Sequence, residues 1–119
     1  MSLERFNPKS SVNLAVPEDC ELARRMGRQA EDTASFLKAL SHEGRLMILC
    51  HLAAGERSVT ELEGLLGQRQ AAVSQQLARL RLEGLVATRR AGKAIHYSIS
   101  DPRVPALLRS LTGMPPLAS

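Results

Sequence analysis

The sequence predicts a mainly α domain carrying a small β-hairpin, in the order α-α-α-α-β-β-α. Three observations carry that expectation. Apolar residues recur at helical spacing as far as Gly84, then alternate with polar ones from Val86 to Ile99. Gly55, Gly67 and Gly84 stand at the ends of the periodic segments, where helices commonly stop. Between the two alternating runs lies "RAGK", Arg90 to Lys93, whose Gly92 accepts the positive φ a tight hairpin turn needs.

Each element has its own signal. Residues 1–17 carry Asn, Ser, Lys and Pro with no sustained period and are expected to form a flexible arm. Pro17 precedes Glu18 and Asp19, acids suited to the first turn of a helix that runs to Leu40. Ala30, Ala34, Leu37 and Leu40 give that helix its apolar positions, and Gly27 marks a weakness or a break in it. Ser41 is the expected N-cap of the second helix, with Leu46, Leu49, Cys50 and Ala53 as its apolar face. Ser58 with Glu61 makes the S-x-x-E capping box of a third helix, whose Leu62, Leu65 and Leu66 turn inward before Gly67 closes it.

The fourth helix, about Arg69 to Glu83, buries Ala72, Val73, Leu77 and Leu80. Val86 and Thr88 lead out along the hairpin, and Ile95, Tyr97 and Ile99 lead back. Asp101 caps a last helix with Pro102 at its tolerant first position. Val104, Leu107, Leu108 and Leu111 form a narrow stripe along it that lacks an evident partner within one small domain. The ordered domain should thus span 18–112, with 113–119 a disordered tail.

Bulk properties narrow the function. The 119 residues suit one domain, and aromatics make up only 3%, so the core must be Leu, Val, Ile and Ala. A net charge of +4 and a pI of about 9.7 point to a polyanion, either nucleic acid or a membrane surface. No run is long and apolar enough to span a bilayer, and no secretory pattern opens the chain, so a cytoplasmic protein is expected. Two cysteines in a reducing compartment are a poor basis for a structural disulfide. With no CxxC pair and three scattered histidines, neither a zinc cluster nor any other metal or cofactor site is expected. No acid/base pair, nucleophile elbow or phosphate loop is present, which argues against an enzyme.

Two short helices joined at Gly67 match a helix-turn-helix, whose second helix enters the major groove of double-stranded DNA. Gln70, Ser74, Gln75, Gln76 and Arg79 lie on that second helix. Gln can bond adenine bidentately, Arg can do the same to guanine, and Ser serves a base or a phosphate. From Arg57 to Lys93 seven cations face three acids, so the whole net charge gathers in about a third of the chain. Arg69, Arg89, Arg90 and Lys93 are the expected phosphate contacts, the last three clustered at the hairpin tip. A solvated polar face and an edge-protecting hairpin would explain either feature singly; the two side by side favour DNA.

The stretch "FLKALSHEGRLMILCHL…SVTELEGLLG…AAVSQQLARLRLEGLVATRRAGKAIHYSI" resembles the ArsR/SmtB family of bacterial winged helix-turn-helix repressors, over about Ala34 to Leu111. The resemblance implies a homodimer joined through its first and last helices, bound to an inverted-repeat operator until an inducer releases it. One departure stands at Arg69, where relatives often carry a serine cap.

The inducer is the open question. Metal-sensing relatives use a Cys-x-Cys where this chain has Arg57, Ser58 and Val59, or Asp and His in the last helix, which here offers Asp101 and no His. "RLMILCHL" instead resembles the second helix of the sulfide-responsive, BigR-type members, in which a cysteine at the place of Cys50 reacts with sulfane sulfur. The resemblance implies a thiol sensor answering reactive sulfur or an oxidant, with Cys50 reactive; Cys20, the only other thiol, is the candidate resolving partner. In those relatives the second cysteine lies in the last helix, where this chain has none. Were the first helix unbroken, Cys20 would stand about 30 Å from the following turn at 1.5 Å per residue. A bridge, which needs Cα atoms within about 7 Å, would then require a break at Gly27 or a meeting across a dimer. Three alternatives stay open: Cys50 as an inert core residue, a metal-responsive repressor, and a winged helix that binds protein.

Overall fold

A computed structural model of the chain describes residues 20–114. Its elements are α1 (Glu21–Leu40), α2 (Glu43–Ala53), β1 (Arg57–Ser58), α3 (Val59–Leu66), α4 (Gln70–Leu82), β2 (Val86–Ala91), β3 (Ala94–Ile99) and α5 (Arg103–Thr112). The expected arm, with Glu18 and Asp19, and the tail beyond Met114 lie outside the described residues. These residues divide after Leu37 into two compact units, one holding most of α1 and the other everything that follows.

In the first unit α1 passes through Gly27 without interruption, so the break considered there is absent. The side chains buried along α1 are Phe36, Ala39 and Leu40, while Leu37 stays 46% exposed. A phenyl ring offers more apolar area than the alanines on which the expected face relied.

The second unit is built around α2, which packs against α3, α4, β3 and α5. Ile48, Leu49 and Leu52 are its buried residues; Cys50 is half-buried and Ala53 exposed. Because α2 is apolar nearly all round, several faces satisfy its period and the neighbours choose among them. His42, not Ser41, caps it: His42 Nδ1 accepts a hydrogen bond from the Gly44 N–H at 3.0 Å. Leu62, Val73, Leu77, Leu80, Leu85 and Val104 complete this core, each at most 2% exposed. Leu65 and Ala72, expected inside, are exposed.

The sheet has three antiparallel strands in the order β1-β3-β2, one more than the hairpin alone. β1 pairs Arg57 with Tyr97 and Ser58 with His96, and at two residues it is too short to leave an alternating signature. In the hairpin Ala91 pairs with Ala94, leaving Gly92 and Lys93 as the loop. Gly92 holds φ 64° at the first loop position, as a type II′ turn requires.

α5 begins at Arg103 with Pro102 as its cap, one place later than expected, and Asp101 Oδ1 still accepts from the Arg103 N–H at 2.9 Å. Part of the α5 stripe finds its partner within the chain. Val104 is fully buried and Leu108 nearly so, with α5 packed on α2, whereas Leu111 is 46% exposed. Among the described residues no helix is long and apolar enough to cross a membrane.

Candidate nucleic-acid interface

The interface is set by α3, the turn at Gly67, and α4. Ser58 Oγ accepts from the Glu61 N–H at 3.2 Å, while Glu61 Oε1 accepts from the Ser58 N–H at 2.8 Å, so both arms of the capping box form. The Ser58 backbone N–H, and after it the Ser58 hydroxyl, hold the Glu61 carboxyl below the usual carboxylate range. At the other end Gly67 takes a left-handed φ of 65°, and its N–H donates to the Glu63 carbonyl at 2.8 Å. That reversal sends the chain into α4. Arg69 caps α4 without a side-chain hydrogen bond, so the serine-type cap is lost and the guanidinium is left exposed.

Val73, Leu77 and Leu80 fix the inner side of α4. Gln70 and Ser74, four residues apart, form one outer ridge; Gln75 and Arg79 form the next, about 100° round. All are exposed except the half-buried Ser74. Between the ridges stand Ala71 and Ala78, both exposed and both outside the expected set of base readers. Their methyl groups are small enough to let the backbone approach a groove floor and to meet a thymine methyl. The sequence carries that signal as two alanines on a polar face.

Gln76 departs from the expectation. It lies about 200° round the helix from Ser74 and faces α2. There its Oε1 accepts from Arg45 Nη1 at 3.2 Å, and the side chain is half-buried. Gln76 also borders a cavity of about 680 Å³ between α2, α3 and α4, shared with His42, Met47, His51 and Leu66.

The cations fall into two groups. Arg79 Nε donates to Glu83 Oε2 at 3.2 Å, and Arg89 is paired with Glu56. Among the described residues Arg69, Arg81, Arg90 and Lys93 are exposed and have no ion-pair partner. Arg81 belongs to the charge cluster but has no role assigned by the sequence pattern. It lines, with Ala78, Leu82 and Tyr97, a groove of about 440 Å³ between α4 and the hairpin. The hairpin register puts Arg90 on the same sheet face as Thr88, Ile95 and Tyr97, and Arg89 on the opposite one.

The two thiols lie away from these groups along the chain. Cys20 immediately precedes α1 and Cys50 sits in α2; both are free and half-buried. Within the described residues no three His, Cys, Asp or Glu side chains gather as a metal ion would need.

Comparison with known proteins agrees with this geometry. Residues 42–88 match the bacterial regulatory protein, arsR family. The biofilm growth-associated repressor of Agrobacterium fabrum is 45% identical over 86 residues, 72% of this chain and 74% of that protein. The transcriptional activator HlyU of Vibrio cholerae is 41% identical over 86 residues, covering 72% and 80%. The crystal structure of the transcriptional repressor BigR from Xylella fastidiosa superposes with a TM-score of 0.72 at 43% identity, over 74% of this chain and 90% of that one. The chain belongs to the ArsR family of bacterial regulatory proteins, as a DNA-binding winged helix-turn-helix transcriptional regulator and not an enzyme.

Proposed function

We propose that the chain is a cytoplasmic homodimeric repressor that binds an inverted-repeat operator and releases it when its cysteines react. The observation that carries the DNA reading is the outer face of Gln70, Ala71, Ser74 and Gln75 on the second helix of the helix-turn-helix, flanked by the exposed cations Arg69 and Arg81. Gln70, Ser74, Gln75 and Arg79 would meet bases or nearby phosphates, while Arg69, Arg89, Arg90 and Lys93 would hold phosphates. Support for a dimer comes from apolar side chains left exposed on α1, at Leu22 and Met26, and at the end of α5, at Leu111 and Met114. Two-fold symmetry would then set two recognition helices about 34 Å apart.

Thiol control is supported by the half-buried Cys50, which is more accessible than an inert core residue, and by the resemblance of "RLMILCHL" to the second helix of the sulfide-responsive members. Its chemistry balances with an organic persulfide, R–S–S–H, as co-reactant. The Cys50 thiolate takes the outer sulfur with its proton and releases R–S⁻. With α1 unbroken at Gly27, a Cys20 thiolate would have to come from across the dimer to attack the sulfur still attached to Cys50, forming the disulfide and expelling hydrosulfide. A disulfide-bearing state of lower operator affinity would complete the switch.

Fluorescence anisotropy tests this on a duplex that the protein selects from a randomised pool. Reduced, persulfide-treated and re-reduced protein are compared, with Cys50→Ser in parallel. The expected result is tight binding that weakens on treatment, returns on reduction, and is insensitive to treatment in Cys50→Ser. Tight binding indifferent to treatment removes thiol control and leaves the repressor. Failure to select any duplex removes the DNA reading.

A further inference from the structure

We infer that Arg45 and Gln76 are positioning residues that fix the rotation and depth of the recognition helix, and that Gln76 does not read bases. This rests on the DNA-binding reading above. Arg45 reaches two elements at once: its Nε donates to the Ala39 carbonyl at 2.7 Å, and its Nη1 donates to Gln76 Oε1 at 3.2 Å. Ala39 lies in the last turn of α1, where carbonyls lack an intrahelical donor, and it is only 2% exposed. Arg45 therefore satisfies a buried helix end and ties it to α4. Only a planar guanidinium offers two donors in so fixed a fork; a lysine ammonium would have to choose.

Gln76 also lies close to the start of α2. A Cβ at Gly44 would sit 3.1 Å from His42 Cε1 and 3.9 Å from Gln76 Cδ, so the backbone of α2 approaches the amide at a glycine. The bond from the Gly44 N–H holds the imidazole there. Gln76 is thus bonded to a guanidinium of α2 and stands beside Gly44 near the start of the same helix. Gln70, Ser74 and Gln75 project from the same rigid helix, so their approach to base edges inherits whatever this contact sets. Base contacts tolerate only small misplacement, which makes a remote bond of this kind a determinant of specificity.

The test uses full-length protein and the pool-selected duplex, with a scrambled duplex as reference. Discrimination between the two and the salt dependence of binding are measured for the parent, Gln76→Ala, Gln76→Glu and Arg45→Lys. Gln76→Ala and Arg45→Lys should each lose discrimination by about tenfold with an unchanged salt slope, since no phosphate contact is removed. Gln76→Glu should restore it to within about threefold of the parent, because a carboxylate accepts from Arg45 at least as well as an amide oxygen does. If Gln76 instead faces DNA, Gln76→Glu sets an anion against phosphates and binding falls below that of Gln76→Ala; that result overturns the inference. So does undiminished discrimination in both Gln76→Ala and Arg45→Lys. A parent that selects no duplex overturns the DNA reading, and this inference with it, before any variant is made.

Discussion

Glu56 and Arg89 meet as a two-pronged ion pair: Arg89 Nε donates to Glu56 Oε2 at 2.9 Å and Arg89 Nη2 to Oε1 at 2.7 Å. Arg89 pairs in register with His96, and His96 in turn with Ser58, so the pair lies on the sheet face that carries the capping box of α3. The Arg89 hydrogen bond holds the Glu56 carboxyl below its ordinary value. One of the three hairpin cations is thereby neutralised from within the chain, whereas Arg90 and Lys93 have no ion-pair partner among the described residues.

Replacing Glu56 with Gln should therefore strengthen duplex binding at moderate salt. The slope of log affinity against log salt should steepen by up to about 0.9, the value for neutralising one more phosphate. Arg89→Ala in the parent should weaken binding less than Arg90→Ala or Lys93→Ala. Equal effects of all three alanines would mean that DNA breaks the Glu56 pair on binding.

Gly67 yields a second expectation. A Cβ there meets nothing within 4 Å, so the site constrains only the backbone, through its φ of 65°. Gly67→Ala should lower stability by roughly 1–2 kcal/mol, the left-handed penalty for an L-residue. Gly67→Asn should recover about half of that loss, since Asn tolerates this region better. Thermal melts at neutral pH compare the three proteins; equal losses for Ala and Asn would mean that the turn relaxes to another conformation.

Why the capping box and the glycine turns are legible in the sequence, while other parts are not, follows from distance along the chain. Ser58 and Glu61 are three residues apart, and Gly67, Gly84 and Gly92 each answer a local need for positive φ. Gln76 reads as a base contact because its polarity is visible in sequence, whereas Arg45, the group it bonds, stands 31 residues away. Arg89 reads as free for the same reason, with Glu56 33 residues distant. α2 misleads differently: with Leu46, Met47, Ile48, Leu49, Cys50 and Leu52 in one short run, its period cannot choose a face. Only packing against four neighbouring elements turns Ile48, Leu49 and Leu52 inward and leaves Cys50 at the margin.

The α5 cap makes stability depend on acid. Hydrogen bonds from the Arg103 side chain, and then from its backbone N–H, lower the Asp101 carboxyl below its ordinary 3.8. A depressed folded value contributes stability that is present above the unfolded pKa and is lost as pH falls through the folded one. Asp101→Asn should thus melt lower than the parent at pH 7, by about 1 kcal/mol for a weakened cap. As pH falls below the folded value the two should converge. A gap that persists there would assign the effect to packing instead of charge.

Ala71 supplies the sharpest check on which face of α4 meets DNA. It is exposed, it lies between the Gln70–Ser74 and Gln75–Arg79 ridges, and it makes no contact the core needs. Leucine is nearly as good a helix former as alanine, so Ala71→Leu should leave thermal stability within about 0.5 kcal/mol of the parent. On DNA the added bulk holds the helix off the groove floor. Affinity for the selected duplex should fall at least tenfold, while weak salt-sensitive binding to scrambled duplex, carried by phosphate contacts, survives. Gln75→Ala is the companion: it removes hydrogen bonds without adding bulk, and should cost about 1–3 kcal/mol of discrimination. If Ala71→Leu binds the selected duplex as the parent does, the groove-facing side of α4 lies elsewhere. Arg81 and the groove it lines beside Tyr97 would then be the place to look.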